Sequence, residues 1–161
     1  MILEYASTPS IHFRTIISTT QTVESNVLTM AGQEPAYLYK LVPSSAPVRE
    51  PIPERLPVSL IDQQSGFVHL STALQVPNTL KLFFENEPLV YVLRIPYDRV
   101  AQDIVFEDVT GRRGPRPDEG LFPHLYNGLK LGKDEVESMS LWSNEGGWEK
   151  ALNGAKPWLL Y

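Results

Sequence analysis

The stretch "GFVHLST" (66–72) sets a histidine between hydrophobic residues, and "LFPHLY" (121–126) repeats the arrangement, with an aromatic residue two places before the histidine and a leucine directly after it. The chain holds 3 histidines, and two of them, His69 and His124, share that setting. A neutral imidazole donates one hydrogen bond and accepts another, and its ordinary pKa of about 6.5 suits proton transfer at neutral pH. Two imidazoles lining one cleft would make a binding and acid/base site. If "GFVHLST" is extended, Val68, Leu70 and Thr72 point one way and Phe67, His69 and Ser71 the other, which separates an apolar face from one able to do chemistry. Near the pair the sequence offers Tyr39, Lys40, Ser71, Thr72, Gln75 and Tyr126, with Glu107 at the end of "DIVFE" as an acid. The structural alternative is two core histidines bonded to backbone and a glutamate at an exposed strand end.

Other chemistries are excluded by what the chain lacks. It has no cysteine, which removes disulfides, thiolate zinc sites and a cysteine nucleophile. It has no glycine-rich nucleotide loop of the Rossmann or Walker type, no H-E-x-x-H and no G-x-S-x-G. The histidines and carboxylates show no diagnostic metal-ligand spacing, so no metal is expected. A formal charge of -5, from 19 acidic and 14 basic residues, gives no general attraction to nucleic acid or anionic membranes. The one basic patch, Arg112, Arg113 and Arg116 in "GRRGPRP", reads as a solvated loop. No apolar run approaches the roughly 20 residues that span a bilayer. Residues 7–29 are rich in Ser and Thr but contain Arg14 as their one basic residue, together with Glu24, and fit neither a signal nor a transit peptide. A cytoplasmic protein acting on a small molecule is the expectation; the residues leave its oligomeric state open.

The elements that must position the pair follow from periodicity and punctuation. Residues 1–35 read as an N-terminal extension with a short strand, "IHFRTII", and residues 36–161 as a single domain. Alternation predicts strands at 36–42, 67–71, 89–96 and 103–108. A helical turn in "VSLIDQQSG" closes at Gly66. Leu80, Phe83 and Phe84, at i, i+3 and i+4, predict a helix over 77–86 that packs all three inward. The segment 43–57 carries five prolines and reads, with 109–120, as an irregular mobile rim of the cleft. The tail holds two of the three tryptophans and docks on the body. The order of elements gives an α+β fold, a small split or curved, mostly antiparallel sheet with few helices.

Taken in order, "YLYKLV", "SLIDQQSGFVHLSTALQVPNTLKLFF", "LVYVLRI", "VFE" and "FPHLY" resemble the pattern of the domain-of-unknown-function family 952 over about residues 36–126. One departure is visible: Ser65 and Gly66 stand where the family commonly has an aspartate–glycine pair. The resemblance implies an ADP-ribosyltransferase-like fold, in which a split sheet clasps the nicotinamide end of NAD, with histidines similar to those of the RNA 2′-phosphotransferase branch. By that similarity Tyr39 or Lys40 is the first element, beside the nicotinamide ribose. His69 with Ser71 and Thr72 is the second and His124 the third, with Glu107 a candidate for the catalytic glutamate. The resemblance thus points to a transferase-like enzyme that binds NAD or another nucleotide between the two histidine segments. The residues alone also allow a cofactor-free isomerase, cyclase or hydrolase using the same acid/base pair on a small metabolite, or a small-molecule binding module without catalysis.

Overall fold

The alternation in "YLYKLVP" is realised as β1 (Tyr37–Pro43), which puts Leu38 and Lys40 on one face and Tyr39 and Leu41 on the other. The structure, a computed structural model, describes residues 33–114 and 120–161. The strand "IHFRTII", His12, all but the last three residues of the 1–35 extension, and Arg116 lie outside the described residues. After β1 come α1 (Leu60–Ser65), β2 (Val68–His69), β3 (Ser71–Thr72), α2 (Val76–Phe83), β4 (Leu89–Pro96) and β5 (Ile104–Glu107). Then follow β6 (Arg113–Gly114), β7 (Phe122–Leu125), β8 (Ser138–Ser143) and α3 (Glu149–Ala155).

Two antiparallel sheets result, with strand orders β3-β1-β4-β8 and β2-β7-β5-β6. The α+β expectation with few helices holds in this form. β4, apolar on both faces, is a central strand between β1 and β8. One core joins residues from both sheets, Leu38, Leu93 and Ile95 from the first and Val68 and Leu125 from the second. The other covers the opposite face of the first sheet, where Tyr39, Leu41, Val90 and Val92 meet Val76 and Leu80 of α2 and Trp142, Trp148 and Ala155. The tail docks here as expected, Trp158 packing against this second core. Among the described residues no helix is long and apolar enough to cross a membrane.

Three expectations change. The strand expected at 67–71 is two short strands in different sheets. Leu70 N donates to Pro123 O at 3.0 Å, but a proline has no N–H with which to return a bond. The ladder between β2 and β7 ends there, and Ser71 and Thr72 pair instead with Tyr39 and Leu38 of β1. In α2 the inward stripe is Val76 and Leu80, both 0% exposed, with Phe84 half-buried, while Phe83 is 70% exposed. The spacing i, i+4, i+8 follows the 3.6-residue turn, and Phe83, about 100° from Phe84, is turned away. The proline-rich segment 43–57 is packed, not free: Val48 and Leu56 are buried in the first core. Its backbone is tied by Leu56 N to Leu131 O at 2.7 Å and by Lys133 N to Pro53 O at 2.9 Å. It also lies so close to Gly132 that a Cβ there would sit 2.0 Å from Glu54 O, which excludes any larger residue.

Candidate active site

The site grows from a helix of one and a half turns. Ser59 caps α1, its Oγ accepting from Asp62 N at 3.2 Å and donating to Asp62 Oδ2 at 2.7 Å, a reciprocal arrangement that fixes the Asp62 side chain. Gly66 ends the helix in the left-handed region at φ 79, where its N–H bonds Asp62 O and the chain turns into β2. That turn, at a positive φ, is what calls for a glycine at this position. Asp62 is thereby held under His69. Its Oδ1 accepts from His69 N at 3.0 Å and faces His69 Nδ1 at 2.8 Å, while Lys40 Nζ, from β1, donates to Oδ2 at 2.6 Å. Burial alone would raise the Asp62 carboxyl, but the bond from His69 and the Lys40 ammonium hold it well below the ordinary carboxylate range. Burial lowers Lys40 from its usual value, with Asp62 opposing.

The second sheet builds a matching half. Across β5 and β7, Val105 lies opposite His124 and Glu107 opposite Phe122, so Glu107 and His124 share a face. Glu107 Oε1 lies 3.0 Å from His124 Nδ1 and also accepts from the Tyr126 hydroxyl. Its Oε2 accepts from Arg113 Nε, on the paired strand β6, at 2.9 Å. Burial works to raise the Glu107 carboxyl, yet these three donors, Tyr126, His124 and Arg113, lower it. Burial pushes the His124 imidazole down from its ordinary value against the pull of Glu107, and the neighbouring His69 adds to the push.

His69 and His124 are directly opposite one another across β2 and β7. The bond from Leu70 N to Pro123 O makes theirs a non-hydrogen-bonded pair, the kind in which facing side chains come closer. Their ring centroids are 5.1 Å apart at 68°. Phe67 stacks on His124 at 4.1 Å and 17°, and lies 4.7 Å from His69 and 5.0 Å from Tyr126. An ionised carboxylate at each Nδ1 fixes the N–H there and leaves Nε2 as the acceptor in the neutral ring. Neither Nε2 has a partner among the described residues. The two rings thus lie side by side, His69 the more exposed and His124 buried, each backed by a carboxylate with its own cation. Such a pair can accept a proton at one nitrogen and donate one from the other.

Of the residues expected from the sequence, His69, His124, Glu107 and Tyr126 come together, and Lys40 reaches the group through Asp62. The others do not. Ser71 is buried and its hydroxyl faces Thr79 Oγ1 of α2 at 3.0 Å, because its strand has crossed to the other sheet. Thr72 is buried beside it, and its N–H donates to Gln75 Oε1 at 3.0 Å. Gln75 Nε2 donates to Leu121 O at 2.6 Å, bracing the start of α2 against the segment before β7. Tyr39 lies in the second core, 0% exposed. Its hydroxyl donates to Leu160 O at 2.9 Å and accepts from Leu160 N at 2.8 Å, and burial pushes it up to about 12. Sequence reasoning missed Asp62, which had been read only as part of a helical turn. The signal was present in Ser59-x-x-Asp62, a capping spacing two residues after Pro57. Arg113, which reads from sequence as part of a solvated loop, holds Glu107, and Phe67, on the expected face of its segment, stacks on His124.

Residues 50–139 match the family described as Protein of unknown function (DUF952). The chain belongs to this family. The X-ray structure of protein CC0527 from Caulobacter crescentus is similar, with a TM-score of 0.54 at 22% identity over 73% of this chain and 98% of that one. The solution NMR structure of CC0527 gives 0.50 at 22% identity over 68% and 87%. At this identity the likeness shows the fold alone. No curated protein matches the chain. What the DUF952 fold does in this chain has therefore to be read from the histidine pair itself.

Proposed function

We propose that the chain is a small enzyme that uses His69 and His124 as an acid/base pair on a nucleotide-like ligand laid against Phe67, with NAD as the first ligand to test. One observation carries this reading: two cross-strand imidazoles, each bonded through Nδ1 to a buried carboxylate, lie against each other with Nε2 atoms that have no partner among the described residues. Like charge this close disfavours protonating both rings at once. His124, buried and pushed toward its neutral form, takes a proton from the nucleophile. His69, the more exposed ring, gives one to the leaving group. Glu107 and Asp62 have their oxygens engaged, so both position imidazoles and neither attacks the ligand. The choice of a nucleotide comes from the resemblance to ADP-ribosyltransferase-like folds. With Tyr39 enclosed under the tail, ligand contact in this reading falls to the histidines, Phe67 and Tyr126.

A second reading keeps the residues and drops the cofactor. Because both carboxylates are saturated as orienting groups, the imidazoles are the reacting groups, and a hydrolase, cyclase or isomerase needs nothing more than such a pair. Thermal shift and product analysis against NAD, ADP-ribose, nucleotides and small carboxylic acids separate the two. A ligand at 100 times its dissociation constant stabilises by roughly 2.7 kcal/mol. His69→Ala and His124→Ala are expected to lose turnover while melting within a few degrees of the wild type. Turnover that survives in both variants would contradict the reading.

A further inference from the structure

Two imidazoles braced by carboxylates, with no Nε2 partner among the described residues, suit a cation, since metal-binding histidines are commonly braced in this way, and they suit an anion equally well when protonated. Arg113 separates these cases. Its Nε bonds Oε2 of the same carboxylate whose Oε1 holds His124, yet its side chain is 64% exposed, so the guanidinium reaches the surface one carboxylate away from that imidazole. A permanent positive charge there repels a divalent cation. The described residues also contain no group of three or more His, Asp or Glu side chains able to hold a metal ion. We propose that the exposed edge of Arg113 is the anion-recognising part of the site, and that the ligand presents a phosphate group between this guanidinium and the imidazole pair.

The chemistry of the donors supports phosphate. A guanidinium matches two phosphate oxygens at once and keeps its charge at any working pH, and a third oxygen stays free for an imidazolium. Arg113 also lies across Glu107 from His124, so the residue that holds the phosphate sits beside the proposed base. This inference rests on the two-histidine reading above, and Arg113 acts in it as the specificity-determining residue.

The test follows the ring signals of His69 and His124 by NMR in the full chain as inorganic phosphate is added. Arg113→Gln removes the charge but keeps an N–H able to bond Glu107. Phosphate is expected to move both ring signals in the wild type, and its dissociation constant to rise about tenfold or more in Arg113→Gln, while the His124 Nδ1–H signal persists. Arg113→Lys should recover part of the affinity. Unchanged phosphate affinity in Arg113→Gln, with both rings still responding, would overturn the role of Arg113 and leave the histidine pair standing. Rings that ignore phosphate and bind zinc ions instead would overturn both. If Arg113→Gln fails to fold, Arg113→Lys decides: affinity equal to wild type would mean that the paired guanidinium contact is not used.

Discussion

His69 and Ser71 are two residues apart in "HLS" and belong to different sheets. Around His69 the polar groups are strung on carboxylates that end at a solvent-reachable surface. Around Ser71 the polar groups close on one another: Ser71 with Thr79, Thr72 with Gln75, Gln75 with Leu121, Tyr39 with Leu160. Polar side chains do opposite jobs on the two sides of Leu70. A hydroxyl saturated inside a core fixes the fold. An imidazole with one nitrogen tied and the other open is available for chemistry.

The comparison breaks most visibly at Asp62. Asp62→Ala leaves the Lys40 ammonium buried without its partner and releases the His69 ring, and is expected to cost about 3–5 kcal/mol in urea unfolding, as removal of one member of a buried pair does. A cost below about 1 kcal/mol would show that the histidine side is not anchored through Lys40. On the other side of Leu70, Leu80→Ala should cost about 2–5 kcal/mol because its side chain is fully enclosed by the second core. Phe83→Ala, at an exposed position on the same helix, should stay within about 0.5 kcal/mol. Equal effects would restore the stripe expected from the sequence. Ser71→Ala should lower stability by about 1 kcal/mol through the lost bond to Thr79 and leave ligand affinity unchanged. A ligand-binding defect in Ser71→Ala would place it in the site after all.

The smallest effect concerns pH. The folded-state pKa of His124 lies below its ordinary value of about 6.5, mainly through burial, so the unfolded chain takes up this proton first. Its contribution to stability is present above pH of about 6.5 and is lost as pH falls from there through the lowered folded value. Unfolding free energies between pH 8 and 5 should therefore fall less steeply in His124→Asn than in the wild type. Parallel curves would mean that the ring is not held toward its neutral form.

Much of this was legible in single strands and little of it in their pairing. The period-2 pattern located β1 and β4, and alternation placed Val68 in the core and His69 on the chemical face. The same alternation, carried past Leu70, put Ser71 beside His69 and was defeated by a proline more than fifty residues later that ends the ladder. Pairing between distant strands leaves no local trace, so the facing of His69 and His124 was an expectation from matched settings alone. The apolar stripe of α2 was visible, but both i, i+3, i+4 and i, i+4, i+8 fit one face of a 3.6-residue helix, and burial of Val76 at the other end selected Leu80 and Phe84 over Phe83. Asp62 escaped because a polar residue in a short helix looks like a solvated one until its cap and its ion pair are known. The proline count at 43–57 correctly signalled irregular backbone. It carried no information on Val48 and Leu56, which pin that backbone to the core.

The central claim is that two imidazoles are held through Nδ1 and act as one coupled pair through their open Nε2 atoms. Nitrogen-15 NMR of the His69 and His124 rings across pH 4 to 9 tests it directly. The account predicts that both neutral rings carry their proton on Nδ1, and that replacing His69 by alanine raises the titration midpoint of His124, which the neighbouring ring helps to push down. Neutral rings protonated on Nε2, or a His124 ring whose titration ignores the loss of His69, would contradict it.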